Sequence, residues 1–231
     1  MIRTYDDLLN MLDDQLMAER TFDWNEFYKD RNKKIPFFIN APDENLVSYF
    51  QQKMIQPQKV LELGCGPGRN ALYLAQQGCD VDAVDRSTEG LKWGEERSKE
   101  MGLDVQFRNE DIFNLDVEKA SYDLVYDSGC FHHIAPHRRM NYLELLNKSL
   151  KPGGHFALTC FVENGPLGGS SMEDWEVYEQ RSLQGGLGFT PEKLQTIFQD
   201  FEVIEIREMN AFEGEDLFGV EGLLTALFRK V

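Results

Sequence analysis

A chain of 231 residues with 42% hydrophobic content is long enough for one packed domain with an appendage, and too apolar for a disordered tail protein. Its 24 basic and 40 acidic residues leave a net charge of −16, which repels phosphate backbones and argues against nucleic acid as a partner. Cys65, Cys79, Cys130 and Cys160 are widely spaced with no CxxC pair, which argues against a zinc site; no segment reads as a signal peptide or a membrane span. The expectation is a cytoplasmic protein with reduced thiols, monomeric or homodimeric.

Residues 2 to 17 carry Ile2, Tyr5, Leu8, Leu9, Leu12 and Leu16 at helical spacing, with Thr4 as N-cap. A second helix is expected from Pro42 to about Met54. Strands and helices then alternate. Lys59–Leu63, Val81–Asp85, Val105–Arg108, Asp123–Asp127 and His155–Phe161 read as strands. Between them lie a helix over Asn70–Gln77 stopped by Gly78, one from Ser87 to Gly102, and one over Arg138–Leu150 closed by Lys151-Pro152-Gly153-Gly154. After a glycine-rich excursion, Thr190-Pro191-Glu192 starts a further helix, and two strands, Glu202–Glu208 and Leu223–Phe228, finish the chain. This alternation predicts an α/β fold, a three-layer αβα sandwich around a mostly parallel sheet. Ligands of such sheets bind at the carboxyl ends of the strands, so the residues just after each strand are the candidates.

After the first strand comes E-L-G-C-G-P-G, residues 62 to 68, with glycines at 64, 66 and 68. A phosphate-cradling loop needs Lys and Ser or Thr next, where Arg69 and Asn70 stand; a dinucleotide fingerprint needs its third glycine where Arg69 stands. After the second strand comes Asp85, 17 residues past Gly68, an acceptor suited to ribose hydroxyls. After the third come Glu110, Asp111 and Ile112: a carboxylate for an exocyclic amine and an apolar side chain for a purine face. After the fourth come Asp127 and Ser128, then Gly129-Cys130-Phe131-His132-His133. Singly, each aspartate reads equally well as a helix cap or a turn residue; together they describe a nucleoside pocket.

The set E-L-G-C-G-P-G, Asp85, E-D-I and L-K-P-G-G-H-F resembles the class I S-adenosylmethionine-dependent methyltransferases, from about Val60 to Phe161. W-N-E-F-Y at 24–28, I-P-F-F at 35–38 and G-R-N-A-L-Y-L-A are similar to thiopurine- and tellurite-type small-molecule methyltransferases. The resemblance implies seven strands with an antiparallel last strand. It implies an N-terminal helical lid or substrate segment at 1–55, and a methyltransferase domain at 56–231 with an insertion at about 162–189. It also implies S-adenosylmethionine as cofactor. Glu62 would orient the loop through backbone N–H groups; Gly64, Cys65, Gly66 and Gly68 would line the amino-acid and ribose part. Asp85 would take the ribose hydroxyls with Arg86 covering the adenine; Asp111 and Ile112 would read the base, and Asp127 and Ser128 would flank the methionine end.

Methyl transfer to a small molecule by in-line displacement requires two positioned molecules and the exclusion of water. His133, and after it His132, stand where a base titrating near neutrality would act on a protonated acceptor. Trp24, Tyr28, Phe37 and Phe38 are the expected acceptor walls, and the glycines between 165 and 188 suggest a mobile insertion that admits the acceptor. A thiol or another small heteroatom is the expected acceptor. A non-catalytic regulator that binds the adenosyl cofactor is the alternative; a nucleotide-dependent oxidoreductase stands behind it, short of its third glycine.

Overall fold

The computed structural model describes residues 1–16 and 22–231. Its centre is a seven-stranded sheet of order β3-β2-β1-β4-β5-β7-β6. The strands are β1 (Lys59–Leu63), β2 (Asp80–Asp85), β3 (Gln106–Asn109), β4 (Tyr122–Ser128), β5 (Leu150–Phe161), β6 (Phe201–Glu208) and β7 (Leu223–Lys230). Only β7 runs against its neighbours β5 and β6. The central strands β1, β4 and β5 and strand β7 are rich in apolar residues because both faces of the sheet are covered there. Leu61, Leu63, Val84, Val125, Phe156, Leu158 and Phe228 enter one core with α6 (Arg139–Ser149), α7 (Asp174–Gln180) and α8 (Pro191–Ile197). Val60, Val81, Ala83, Leu124, Tyr126, Ala157 and Leu227 enter the other, with α3 (Glu44–Gln51), α4 (Arg69–Gln76) and α5 (Thr88–Met101).

Several boundaries differ from the sequence reading. The N-terminal helix α1 is Tyr5–Leu16; its expected end at residue 17 lies outside the described residues. Thr4 does cap it, its Oγ1 accepting the Asp7 N–H at 3.1 Å. Helix α3 starts at Glu44 and not at Pro42, because the Pro42 carbonyl accepts the Phe218 N–H at 2.7 Å and the Phe218 carbonyl accepts the Glu44 N–H at 2.9 Å. That exchange holds residues 42–44 extended. Leu46, Tyr49 and Ile55 share a core with Val60 and Leu72, so residues 44–55 are continuous with the main domain. The segment that lies over the strand ends stops at about residue 43.

The insertion, whose glycines suggested mobility, is tied to itself by short backbone bridges. Residues 162, 163 and 170 form bridges to 189, 169 and 187. A Cβ on Gly188 would stand 2.4 Å from the Glu163 Cα, and one on Gly169 would stand 2.3 Å from the Val162 carbonyl. These glycines let backbones touch; they do not mark a hinge.

Candidate active site

The chain leaves β1 at Leu63 and turns through Gly64–Gly68 into α4. The Cys65 N–H goes to the Val84 carbonyl (3.0 Å), that of Gly68 to the Cys65 carbonyl (2.9 Å), and that of Gly66 to Asp85 Oδ2 (2.8 Å). A phosphate cradle presents free N–H groups to the anion. Here the donor at the crest of the loop is spent on a carboxylate, which would repel a pyrophosphate. Asp85 Oδ1 accepts the Ser87 N–H at 2.7 Å. Burial pushes the Asp85 carboxyl up, and the Ser87 and Gly66 N–H groups pull it back. Its remaining lone pairs can still accept hydroxyl donors.

Beside it, Asp111 heads a turn. Its Oδ1 accepts the Phe113 N–H at 3.0 Å, while Oδ2 lies 3.6 Å from Arg86 Nε. Ile112 is buried in the main core and offers little to a ligand face. Asn109, which the sequence reading passed over, donates from Nδ2 to the Asp85 and Arg86 carbonyls at 3.1 and 3.0 Å and ties the two strand ends together. Cys130 leans on the glycine loop, where a Cβ on Gly64 would come within 2.6 Å of the Cys130 Cβ. Burial, then the charges of Asp127, Asp85 and Asp111, push its thiol up, so it is a neutral thiol and a poor nucleophile.

Other candidates turn away from this cleft. Asp127 is fully buried; Oδ1 accepts the N–H groups of Cys130 and Phe131 at 2.9 and 3.2 Å, and Oδ2 accepts the Tyr142 hydroxyl at 2.7 Å. Its Oδ1 thereby holds the backbone at the start of the 3-10 turn Phe131–His133. Ser128 Oγ accepts from Arg69 Nη2 at 3.0 Å. Glu62 is buried beneath the loop with Oε2 unpartnered, while the Cys65, Gly66 and Gly68 N–H groups go to the Val84 carbonyl, Asp85 and the Cys65 carbonyl. Cys65 is buried in the core that carries α4. Gly68 is bare to admit Phe107 and Gly94, not a ligand: a Cβ there would stand 2.9 Å from the Phe107 ring.

Helix α2 (Trp24–Lys29) and the 3-10 turn Pro36–Phe38 form an aromatic strap across the strand ends. Asn25 Oδ1 accepts from Thr88 Oγ1 (2.8 Å) and the Glu89 N–H (3.0 Å), pinning α2 to the start of α5. The Tyr28 ring lies on the loop, its hydroxyl 2.6 Å from where a Gly66 Cβ would be; Gly66 has φ +51, which a side chain would also strain. Phe38 faces Trp93 at 5.1 Å and its carbonyl accepts from Arg97 Nη2 at 2.6 Å, so it anchors the strap and walls no acceptor. Trp24 stands edge-on to His133 at 5.1 Å; Phe37 and Phe161 pack together against Met209, Phe218 and Leu223.

His132 is buried and His133 is partly buried. His132 stacks on Phe161 with centroids 3.7 Å apart, and its buried Nδ1 has no partner. Burial, then the neighbouring His133, push its pKa well down. His133 is pushed down to about 4 by burial, partly offset by the Gly185 carbonyl. Both imidazoles are therefore neutral, and weaker bases than a free histidine side chain.

Residues 60–154 match the methyltransferase domain family. An uncharacterised methyltransferase of Schizosaccharomyces pombe is 36% identical over 126 residues, which is 54% of this chain and 85% of that protein. A probable S-adenosyl-L-methionine-dependent methyltransferase of Haemophilus influenzae, TehB, is 26% identical over 170 residues, which is 68% of this chain but 59% of that protein. A structure solved in work on the conversion of a disulfide bond into a thioacetal group during echinomycin biosynthesis superposes with a TM-score of 0.71 over 90% of each chain; at 21% identity this likeness shows the fold alone.

The chain belongs to the class I S-adenosylmethionine-dependent methyltransferases.

The chemistry of the residues at these strand ends fits the cofactor of this methyltransferase. Asp85 and Asp111 flank a loop whose Cys65, Gly66 and Gly68 N–H groups are already bonded, an acceptor set that suits hydroxyls, an amine and a positive sulfonium and disfavours an anion. No helix among the described residues is long and apolar enough to cross a membrane.

Proposed function

We propose that this methyltransferase methylates a small molecule whose acceptor atom sheds its proton unaided, a thiol ahead of other heteroatoms. The observation that carries this reading is the set of aromatic side chains gathered beside the strand ends, with Trp24 edge-on to His133 at 5.1 Å and burial making both imidazoles weaker bases. S-adenosylmethionine, when bound, supplies a methyl group already activated for displacement by such an atom. The chain's part is to position and to exclude water. Asp85 holds the ribose hydroxyls, Asp111 with Arg86 meets the adenine, and Gly64 and Gly66 form the floor. Trp24, Phe37, His133 and Phe161 wall the acceptor. Residues 22–43 act as the cover of the site and the remainder as the methyltransferase domain.

The test is incubation with S-adenosylmethionine and a panel of thiols, phenols, amines and metalloid oxyanions, reading S-adenosylhomocysteine release and product mass. Thiols are expected to lead. Cofactor binding with no product from any acceptor would overturn the reading in favour of a binding regulator.

Two variants refine the roles. Tyr28, expected at the acceptor wall, belongs on this reading to the cofactor floor. Tyr28→Phe keeps the ring packed on Gly66 and Gly90 and removes only the hydroxyl. It is expected to raise the S-adenosylhomocysteine dissociation constant about fivefold, by the loss of one hydrogen bond, with no change in melting temperature. His133→Phe tests the imidazole. Turnover with a thiol should stay within about threefold of wild type, and the acid limb of its pH profile should not move. A loss of two orders of magnitude would restore His133 as a base.

A further inference from the structure

Two side chains directly after the glycine loop reach away from the cleft and take hold of the strap. Arg69 is the first residue of α4 and is buried. Its Nη1 donates to the Ala41 carbonyl at 3.2 Å and lies 2.5 Å from Asp43 Oδ1, a close ion pair in which no N–H points at that oxygen. Its guanidinium rests 4.1 Å from the Phe218 ring. Asn70 grips the same residue twice: Nδ2 donates to Asp43 Oδ2 at 3.2 Å, and Oδ1 accepts the Asp43 N–H at 2.9 Å. Asp43 has no exposed surface, and Tyr126 gives its Oδ2 a further bond of 2.6 Å.

A dry ion pair adds little net stability, but it admits few geometries. Asp43 ends the strap that carries Trp24, Tyr28 and Phe37, and Arg69 follows Gly68 without an intervening residue. We infer that Arg69 and Asn70 are positioning residues that clasp the strap to the glycine loop, so that ordering the loop and closing the aromatic cover are a single event. The inference rests on the reading of this cleft as the cofactor site. It accounts for an arginine at the position a dinucleotide loop gives to glycine. Because coupling is reciprocal, a ligand that orders the loop must also hold the strap down.

The strap contains tryptic sites at Lys29, Arg31, Lys33 and Lys34. The full chain is digested briefly with trypsin, far below its melting temperature, with and without S-adenosylhomocysteine. Calorimetry measures binding of the same ligand in parallel. In the wild type, saturating ligand is expected to slow cleavage at 29–34 by about tenfold. In Arg69→Lys, which cannot reach Ala41, Asp43 and Ser128 together, and in Asp43→Asn, ligand still binds but the protection is lost. The pair Arg69→Met with Asp43→Asn removes both charges at once, which buried ion pairs tolerate, and leaves a carboxamide oxygen to accept from Tyr126 and Asn70. It should fold and still lack protection, whereas a purely structural ion pair would be rescued. Wild-type protection in that double variant or in Arg69→Lys overturns the clasp. Absence of ligand binding to the wild type overturns the cofactor reading beneath it.

Discussion

Asp85→Ala is expected to raise the dissociation constant for S-adenosylhomocysteine at least about a hundredfold, since hydrogen bonds to a charged group are each worth roughly 1.5–3 kcal/mol and ribose offers two hydroxyls. The loss has a second source. Asp85 also accepts the N–H groups of Gly66 and Ser87, at 2.8 and 2.7 Å, so its removal leaves the crest of the glycine loop and the start of α5 without their acceptor. Asp85→Asn separates the two contributions. Its carboxamide oxygen can still accept one backbone N–H, so the melting temperature should recover most of the way while affinity stays low. Isothermal titration beside thermal unfolding checks both. An unchanged dissociation constant in Asp85→Ala would remove the ribose from this strand end.

Glu62→Gln is expected to abolish a fall in stability between about pH 6.5 and pH 8. Glu62 is 2% exposed and Oε2 has no partner. Burial pushes its carboxyl up to about 8, opposed by Arg69 and reinforced by Asp43 and Asp127. The folded chain therefore binds this proton more tightly than the unfolded chain, whose carboxyl titrates near 4.5. The stability it contributes is complete below the unfolded value and is lost as pH rises through the folded one, at up to about 1.4 kcal/mol per pH unit. Asp127, raised to about 6 by burial, acts in the same direction but only at lower pH. His133, lowered to about 4, acts in the opposite direction between about 4 and 6.5, because there the unfolded chain holds the extra proton. Above that window Glu62 is the strongly shifted group still titrating. Urea midpoints taken across it should fall in the wild type and stay level in Glu62→Gln; equal slopes would show that Glu62 is charged in its core.

The strands and their mostly parallel pairing were legible because a sheet covered on both faces needs mainly apolar runs, and Val60–Leu63, Val81–Val84 and Leu124–Tyr126 supply them apart from Glu62 and Asp82. The strand ends were legible as places, and Asp85 stands at one with both carboxylate oxygens engaged as a loop-holding acceptor would be. Side-chain direction at those ends was not legible. Asp127 follows an apolar strand just as Asp85 does, yet it turns inward because the N–H groups of Cys130 and Phe131 and the Tyr142 hydroxyl converge on it. Gly64, Gly66 and Gly68 look alike as letters, and the space beside each is filled by a different neighbour: Cys130, Tyr28 and Phe107.

From its letters alone the chain dictates an α/β sandwich, a bare loop after β1 and carboxylates at the next two strand ends, all properties of consecutive residues and their periodicity. The folded structure decided which of those groups face the cleft, how far burial moves each proton, and that Arg69, Asn70, Asn25 and Arg97 hold the strap in place. Those outcomes depend on hydrogen-bond partners 27 to 64 residues away in the chain, and the desolvation that lowers His132 and His133 comes from segments which only tertiary packing brings against them.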